Sequence, residues 1–144
     1  MSRTPAVRVI STFIFLAFPI LAQNSKTSSN QPILAKDYSF SVPASEVWTD
    51  TGLDLQPGQL VHVYGGMIAC GGPAPSEKET LPLPSAPAGA LLVKLHPDAK
   101  PVLAAPDAEL PVIDPSHLYL GINRTYCSGR LLAKVHVRPA QAAQ

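Results

Sequence analysis

The chain has little charge of either sign: charged residues make up 15% of it, and 11 basic residues face 10 acidic ones. That balance leaves no basic stripe, so nucleic acid and anionic membrane surfaces are not expected as partners. Helical hydrophobic periodicity is missing throughout. The 16 prolines suit short strands joined by turns, not long helices. Aromatic residues are few, with one tryptophan. No G-x-S-x-G occurs, and the four histidines (His62, His96, His117, His136) form neither H-x-H nor H-E-x-x-H. The acids Asp50, Asp54, Glu77, Glu79, Asp98, Asp107, Glu109 and Asp114 carry no catalytic motif, so no enzyme is expected.

What is present begins with an export signal. Arg3 and Arg8 precede an apolar run over 9–22, broken only by Ser11, Thr12 and Pro19, and Ala22 is followed by a polar stretch. This reads as a signal peptide over residues 1–22, cut after Ala22. The run is shorter than a membrane span of about 20 apolar residues; an uncleaved anchor is the alternative. No Cys lies near the cut, which argues against a lipoprotein anchor, and no stable membrane anchor is expected after cleavage. Removing Arg3 and Arg8 with this segment moves the formal charge from +1 to −1 and leaves 122 residues, enough for one domain with a real core. The product is expected in a periplasm or outside the cell.

The two cysteines, Cys70 and Cys127, both lie in the mature part. An even count in an exported chain implies one disulfide, against the alternative of two buried thiols. Residues 23–36 read as a disordered polar leader, 37–138 as the domain and 139–144 as a frayed tail.

Within the domain, 37–42 alternates with Tyr38, Phe40 and Val42 on one face. Residues 48–55 follow, with Trp48, Leu53 and Leu55 expected inward. Gln56-Pro57-Gly58-Gln59 is a turn in which Pro presets φ and Gly takes the positive φ; it predicts a hairpin between 48–55 and 60–69. Gly65-Gly66 suggests a bulge or close backbone approach. A long Pro-rich loop over 71–89, containing Glu77-Lys78-Glu79, reads as functional or mobile. Residues 90–95 form a buried strand, with short edge strands at 102–103 and 112–113. Residues 117–122 and 130–137 alternate again. Short strands punctuated by turn signals predict an all-β sandwich of seven or eight strands.

Several of these pieces fall in a familiar order: Trp48-Thr49-Asp50-Thr51-Gly52-Leu53-Asp54-Leu55, Pro57-Gly58, Gly65-Gly66-Met67-Ile68, Gly72-Pro73, Gly89-Ala90-Leu91-Leu92-Val93-Lys94, and Leu118-Tyr119-Leu120-Gly121-Ile122-Asn123 leading into Ser128-Gly129. From about Tyr38 to Val137 the chain resembles the PA-IL-like lectin domain, a calcium-dependent galactose-binding domain of bacteria. The resemblance implies a jelly-roll-like, galactose-binding-domain-like sandwich of about eight strands. It also implies a sugar and calcium site between two loops, one following the G-x-I strand and one following L-Y-L-G-I-N.

The second loop departs from that family. Arg124 stands where the family has Asp, and Tyr126-Cys127 stand where it has an Asn pair. Calcium needs six to eight oxygen ligands, and a loop with a cation at its centre supplies too few. Calcium is therefore expected to be lost, with no other cofactor. Cys70 and Cys127 fall on the two loops that the ion would clamp, so their disulfide would replace its structural part.

Two functions follow. One is an exported, disulfide-clamped, lectin-like module that binds a glycan without calcium, through Asn123, Arg124 and Tyr126 with backbone from Gly71 and Gly72. The other is a structural or protein-interaction domain of the envelope or secretome, with the 71–89 loop meeting a protein partner. Asn123-Arg124-Thr125 also matches a glycosylation sequon, where a turn Asn is the plainer reading. His62 and His136 lie in strands and could meet across a sheet to bind zinc; ordinary solvent-face histidines are the plainer reading.

Overall fold

The computed structural model describes residues 34–71, 81–124 and 126–141. The expected signal peptide, most of the expected leader, the last three residues of the expected tail, Gly72, the Glu77-Lys78-Glu79 patch and Thr125 lie outside the described residues. Eight strands form, and no helix is present among the described residues: β1 (Lys36–Pro43), β2 (Thr49–Leu55), β3 (Leu60–Tyr64), β4 (Leu91–Lys94), β5 (Val102–Leu103), β6 (Asp107–Pro111), β7 (Ser116–Ile122) and β8 (Arg130–Arg138). They make two four-stranded antiparallel sheets, ordered β1-β8-β3-β6 and β2-β7-β4-β5, as expected of an all-β sandwich.

Period-2 patterning explains the assembly. β8 alternates strictly, burying Leu131, Ala133, Val135 and Val137. β3 buries Val61 and Val63, and β7 buries Leu118, Leu120 and Ile122. These join Val42, Leu55, Leu91 and Val93 in one core cluster between the sheets. Each such Leu, Ile or Val contributes about 1.5–3 kcal/mol by leaving water.

Three local expectations are corrected. The 56–59 turn forms, but β2 pairs with β7 and β3 pairs with β6 and β8, so 48–55 and 60–69 are not a hairpin. The turn instead carries the chain from one sheet to the other. The edge strand expected at 112–113 lies at Asp107–Pro111; Val112 is buried just beyond it and exchanges backbone hydrogen bonds with Gly58 and Gln59. Trp48 is half-buried and lies outside the core cluster. Trp48 and Leu55 are an odd number of residues apart, so a strand that buries Leu55 turns Trp48 to the opposite face.

Candidate functional site

The loops at one end of the domain are tied to each other. The Cys70–Cys127 disulfide forms. Ala44 N donates to Gly129 O, Ile68 N to Gly89 O, and Gly89 N to Asn123 O. Gly89 has φ +86°, and a Cβ there would stand 2.2 Å from Ile68 O and 2.7 Å from Cys70 Sγ. Only glycine fits beneath the disulfide.

The residues expected to bind a glycan at this end are arranged otherwise. Asn123 is fully buried. Its Nδ2 donates to the carbonyls of Leu83, Ala86 and Pro87 at 2.9, 2.8 and 3.1 Å, and its Oδ1 accepts from Leu83 N at 3.0 Å. The side chain therefore stitches the 81–89 loop to the end of β7 and has no group left to offer a sugar or an oligosaccharide. Arg124 donates from Nη1 to Ala44 O at 2.8 Å, bracing the loop between β1 and β2. Tyr126 alone among the expected side chains is exposed, in a left-handed backbone conformation with φ 50°. Gly71 is exposed beside Cys70, and Gly72 lies outside the described residues.

A second cluster, on the outer face of the β2-β7-β4-β5 sheet, has denser chemistry. Asp50 pairs with Tyr119 and Asp54 with His117, across a register shift between Asp50 and Asp54. The bulge is held locally: Gly52 N donates to Asp50 Oδ1, and Thr51 Oγ1 donates to Leu118 O. It keeps both aspartates on one face, four residues apart. His117 sits between them, Nε2 2.5 Å from Asp50 Oδ1 and Nδ1 2.6 Å from Asp54 Oδ1. Two carboxylates accept only, so the imidazolium, which donates from both nitrogens, is the form that satisfies the pair. Hydrogen bonds to Asp50 first and Asp54 second raise the His117 pKa above its ordinary 6.5. The hydrogen bond from His117, with that from Gly52, lowers Asp50 below its ordinary 3.8.

Tyr119 lies beside this group, its ring centroid 5.1 Å from that of His117. Lys94, buried on the same face, places Nζ 4.3 Å from the Trp48 ring centroid and 5.5 Å from that of Tyr119, and donates to Pro97 O at 2.5 Å. Cation–π attraction and that hydrogen bond together compensate burial of the ammonium. The indole lies over Gly121, where a Cβ would stand 2.8 Å from the ring. Sequence reasoning placed Asp50, Asp54 and His117 among ordinary polar residues. The parity of Asp50, Asp54 and Trp48 against Leu53 and Leu55 was the available signal.

No family model, curated protein or solved structure matches this chain.

Proposed function

We propose that the mature chain is an exported, non-catalytic interaction domain of the cell envelope or secretome. In this reading it is a PA-IL-like sandwich whose calcium and sugar end has become a covalent joint. The observation that carries it is Asn123, buried and hydrogen-bonded at every polar atom by the 81–89 loop. A residue so occupied serves the fold, and Arg124 does the same for the Ala44 carbonyl. The disulfide supports an oxidising compartment, where such bonds persist. In this reading the Pro-rich 71–89 loop, pinned at its described end by Asn123 and Gly89, presents the surface to a protein partner.

The test is a glycan array probed with the mature protein in EDTA and in calcium. Blank arrays under both conditions are expected. Binding that appears only with calcium overturns the reading and restores the ancestral chemistry.

Calcium-independent glycan binding is the second reading, favoured by the Asp50–His117–Asp54 cluster beside Tyr119 on an outward sheet face. Carboxylates accept from sugar hydroxyls, and an aromatic ring covers the apolar face of a sugar. Array binding that is indifferent to EDTA and lost in Tyr119→Ala selects it.

A further inference from the structure

Strand register places a row of four chemistry-bearing residues across the outer face of the β1-β8-β3-β6 sheet. Asp37 of β1 pairs with His136 of β8, His136 pairs with His62 of β3, and His62 pairs with Glu109 of β6. Residues directly opposite in antiparallel strands project to the same face, with Cβ atoms about 4.5–5.5 Å apart. Their neighbours Val61, Val63, Val135 and Val137 fill the core, so the row faces away from it.

We propose that His62 and His136 bind one divalent transition-metal ion of the zinc or copper kind, with Glu109 as a third ligand and water completing the shell. Imidazole nitrogens suit these ions, with metal–nitrogen bonds of about 2.0–2.1 Å for zinc. A cross-strand pair of imidazoles spans such an ion when both rings turn toward the gap between their Cβ atoms.

The second observation is the orientation of His136. Its Nδ1 lies 2.6 Å from Asp37 Oδ1. A carboxylate only accepts, so Nδ1 carries the proton and the Nε2 lone pair is the one available to a metal. A carboxylate behind a histidine is the usual outer-shell device that fixes the tautomer and strengthens the ligand. His62 is held on its own strand by an edge contact to Tyr64, ring centroids 4.4 Å apart. Glu109 is paired with Arg138, Nη2 2.6 Å from Oε2, and exchanges that partner for the ion on binding. Among the described residues, no three His, Cys, Asp or Glu side chains already stand grouped for a metal. Binding therefore involves a rotamer change at His62 and Glu109, on a backbone register that is already in place.

The test is titration of the folded, oxidised mature protein with Zn²⁺ by calorimetry and with Cu²⁺ by electron paramagnetic resonance. One equivalent is expected to bind, with two imidazole nitrogens in the Cu²⁺ spectrum. His62→Ala and His136→Ala each should weaken affinity at least about tenfold, and Asp37→Asn about tenfold by loosening the ligand it orients. His96→Ala, which removes an exposed histidine paired with Asp114, should leave affinity unchanged. Circular dichroism establishes that each variant is folded, and the Cu²⁺ spectrum of the unmutated protein needs no variant at all. A one-nitrogen spectrum, no stoichiometric binding, or affinity unaltered in both His62→Ala and His136→Ala overturns the proposal.

Discussion

The side-chain amide of Asn123 donates to the carbonyl of Ala86 across 2.8 Å, from a position fully closed to solvent. That bond is one of four that hold the 81–89 loop against the end of β7. Truncation in Asn123→Ala leaves the Leu83 N–H and the Ala86 carbonyl without that partner, while the Leu83 and Pro87 carbonyls keep backbone donors from Ala86 N and Ala90 N. Orphaned buried groups cost roughly 1–3 kcal/mol each, so a loss of about 3 kcal/mol is expected. Asn123→Asp should be worse, because a carboxylate would face three carbonyl oxygens. Urea unfolding under oxidising conditions checks both; a loss below about 1 kcal/mol in Asn123→Ala would show that the loop is held by something else.

The same loop end is fastened by the disulfide, which closes a 57-residue span of chain. The chain-entropy estimate for that span is about 4 kcal/mol. Reduction, or the double variant Cys70→Ala/Cys127→Ala, should lower stability by about 2–4 kcal/mol in urea unfolding. A mature protein that shows two reactive thiols after denaturation without reductant would remove the staple from the account.

Gly121 and Trp48 give a spectroscopic handle. A Cβ at position 121 would stand 2.8 Å from both the indole ring and the Val47 carbonyl oxygen. Backbone is the harder of the two to move, so Gly121→Ala must displace the loop before β2. Overpacking of this kind costs typically about 1–3 kcal/mol. Trp48 is the only tryptophan. Its emission in the folded state should therefore shift in Gly121→Ala, along with the loss of stability. An unchanged spectrum and an unchanged unfolding midpoint would contradict the packing.

The strands with clean alternation were legible because their period-2 pattern is a local property. β8 buries every second residue from Leu131 to Val137, and in β7 the apolar Leu118, Leu120 and Ile122 fall at the same two-residue spacing. The partner of a strand is not local. Pro57-Gly58 specifies a turn, and nothing within the turn says whether the strands it joins pair with one another or enter different sheets. β6 carries little strand signal because Asp107 and Glu109 occupy its outward positions, Pro106 precedes it and Pro111 ends it, while the apolar Val112-Ile113 just beyond it has the more strand-like composition. Asn123 ends an apolar strand at a turn-like sequence, where an asparagine reads as a surface residue. Its burial depends on carbonyls from a loop about forty residues earlier. The Asp50–His117–Asp54 cluster joins residues more than sixty positions apart, so only the tertiary register assembles it.

That cluster makes stability depend on pH with a definite sign. His117 has its folded pKa raised above 6.5, chiefly by Asp50. Its contribution is fully present below the unfolded value near 6.5 and is lost as pH rises through the folded one. Asp50 has its folded pKa lowered below 3.8, so its contribution is present above that value and is lost as pH falls through the lowered one. Both contributions are complete only between about pH 4 and pH 6.5. In an NMR titration the His117 ring protons should therefore show a midpoint above 6.5. Asp50→Asn removes the largest cause and should move the midpoint down more than Asp54→Asn does. The unfolding midpoint should also fall from pH 6 to pH 8 by less in His117→Gln than in the parent protein. A His117 midpoint at or below 6.5 would mean that the two carboxylates do not hold the imidazolium in solution, and the outer face would lose its organising charge.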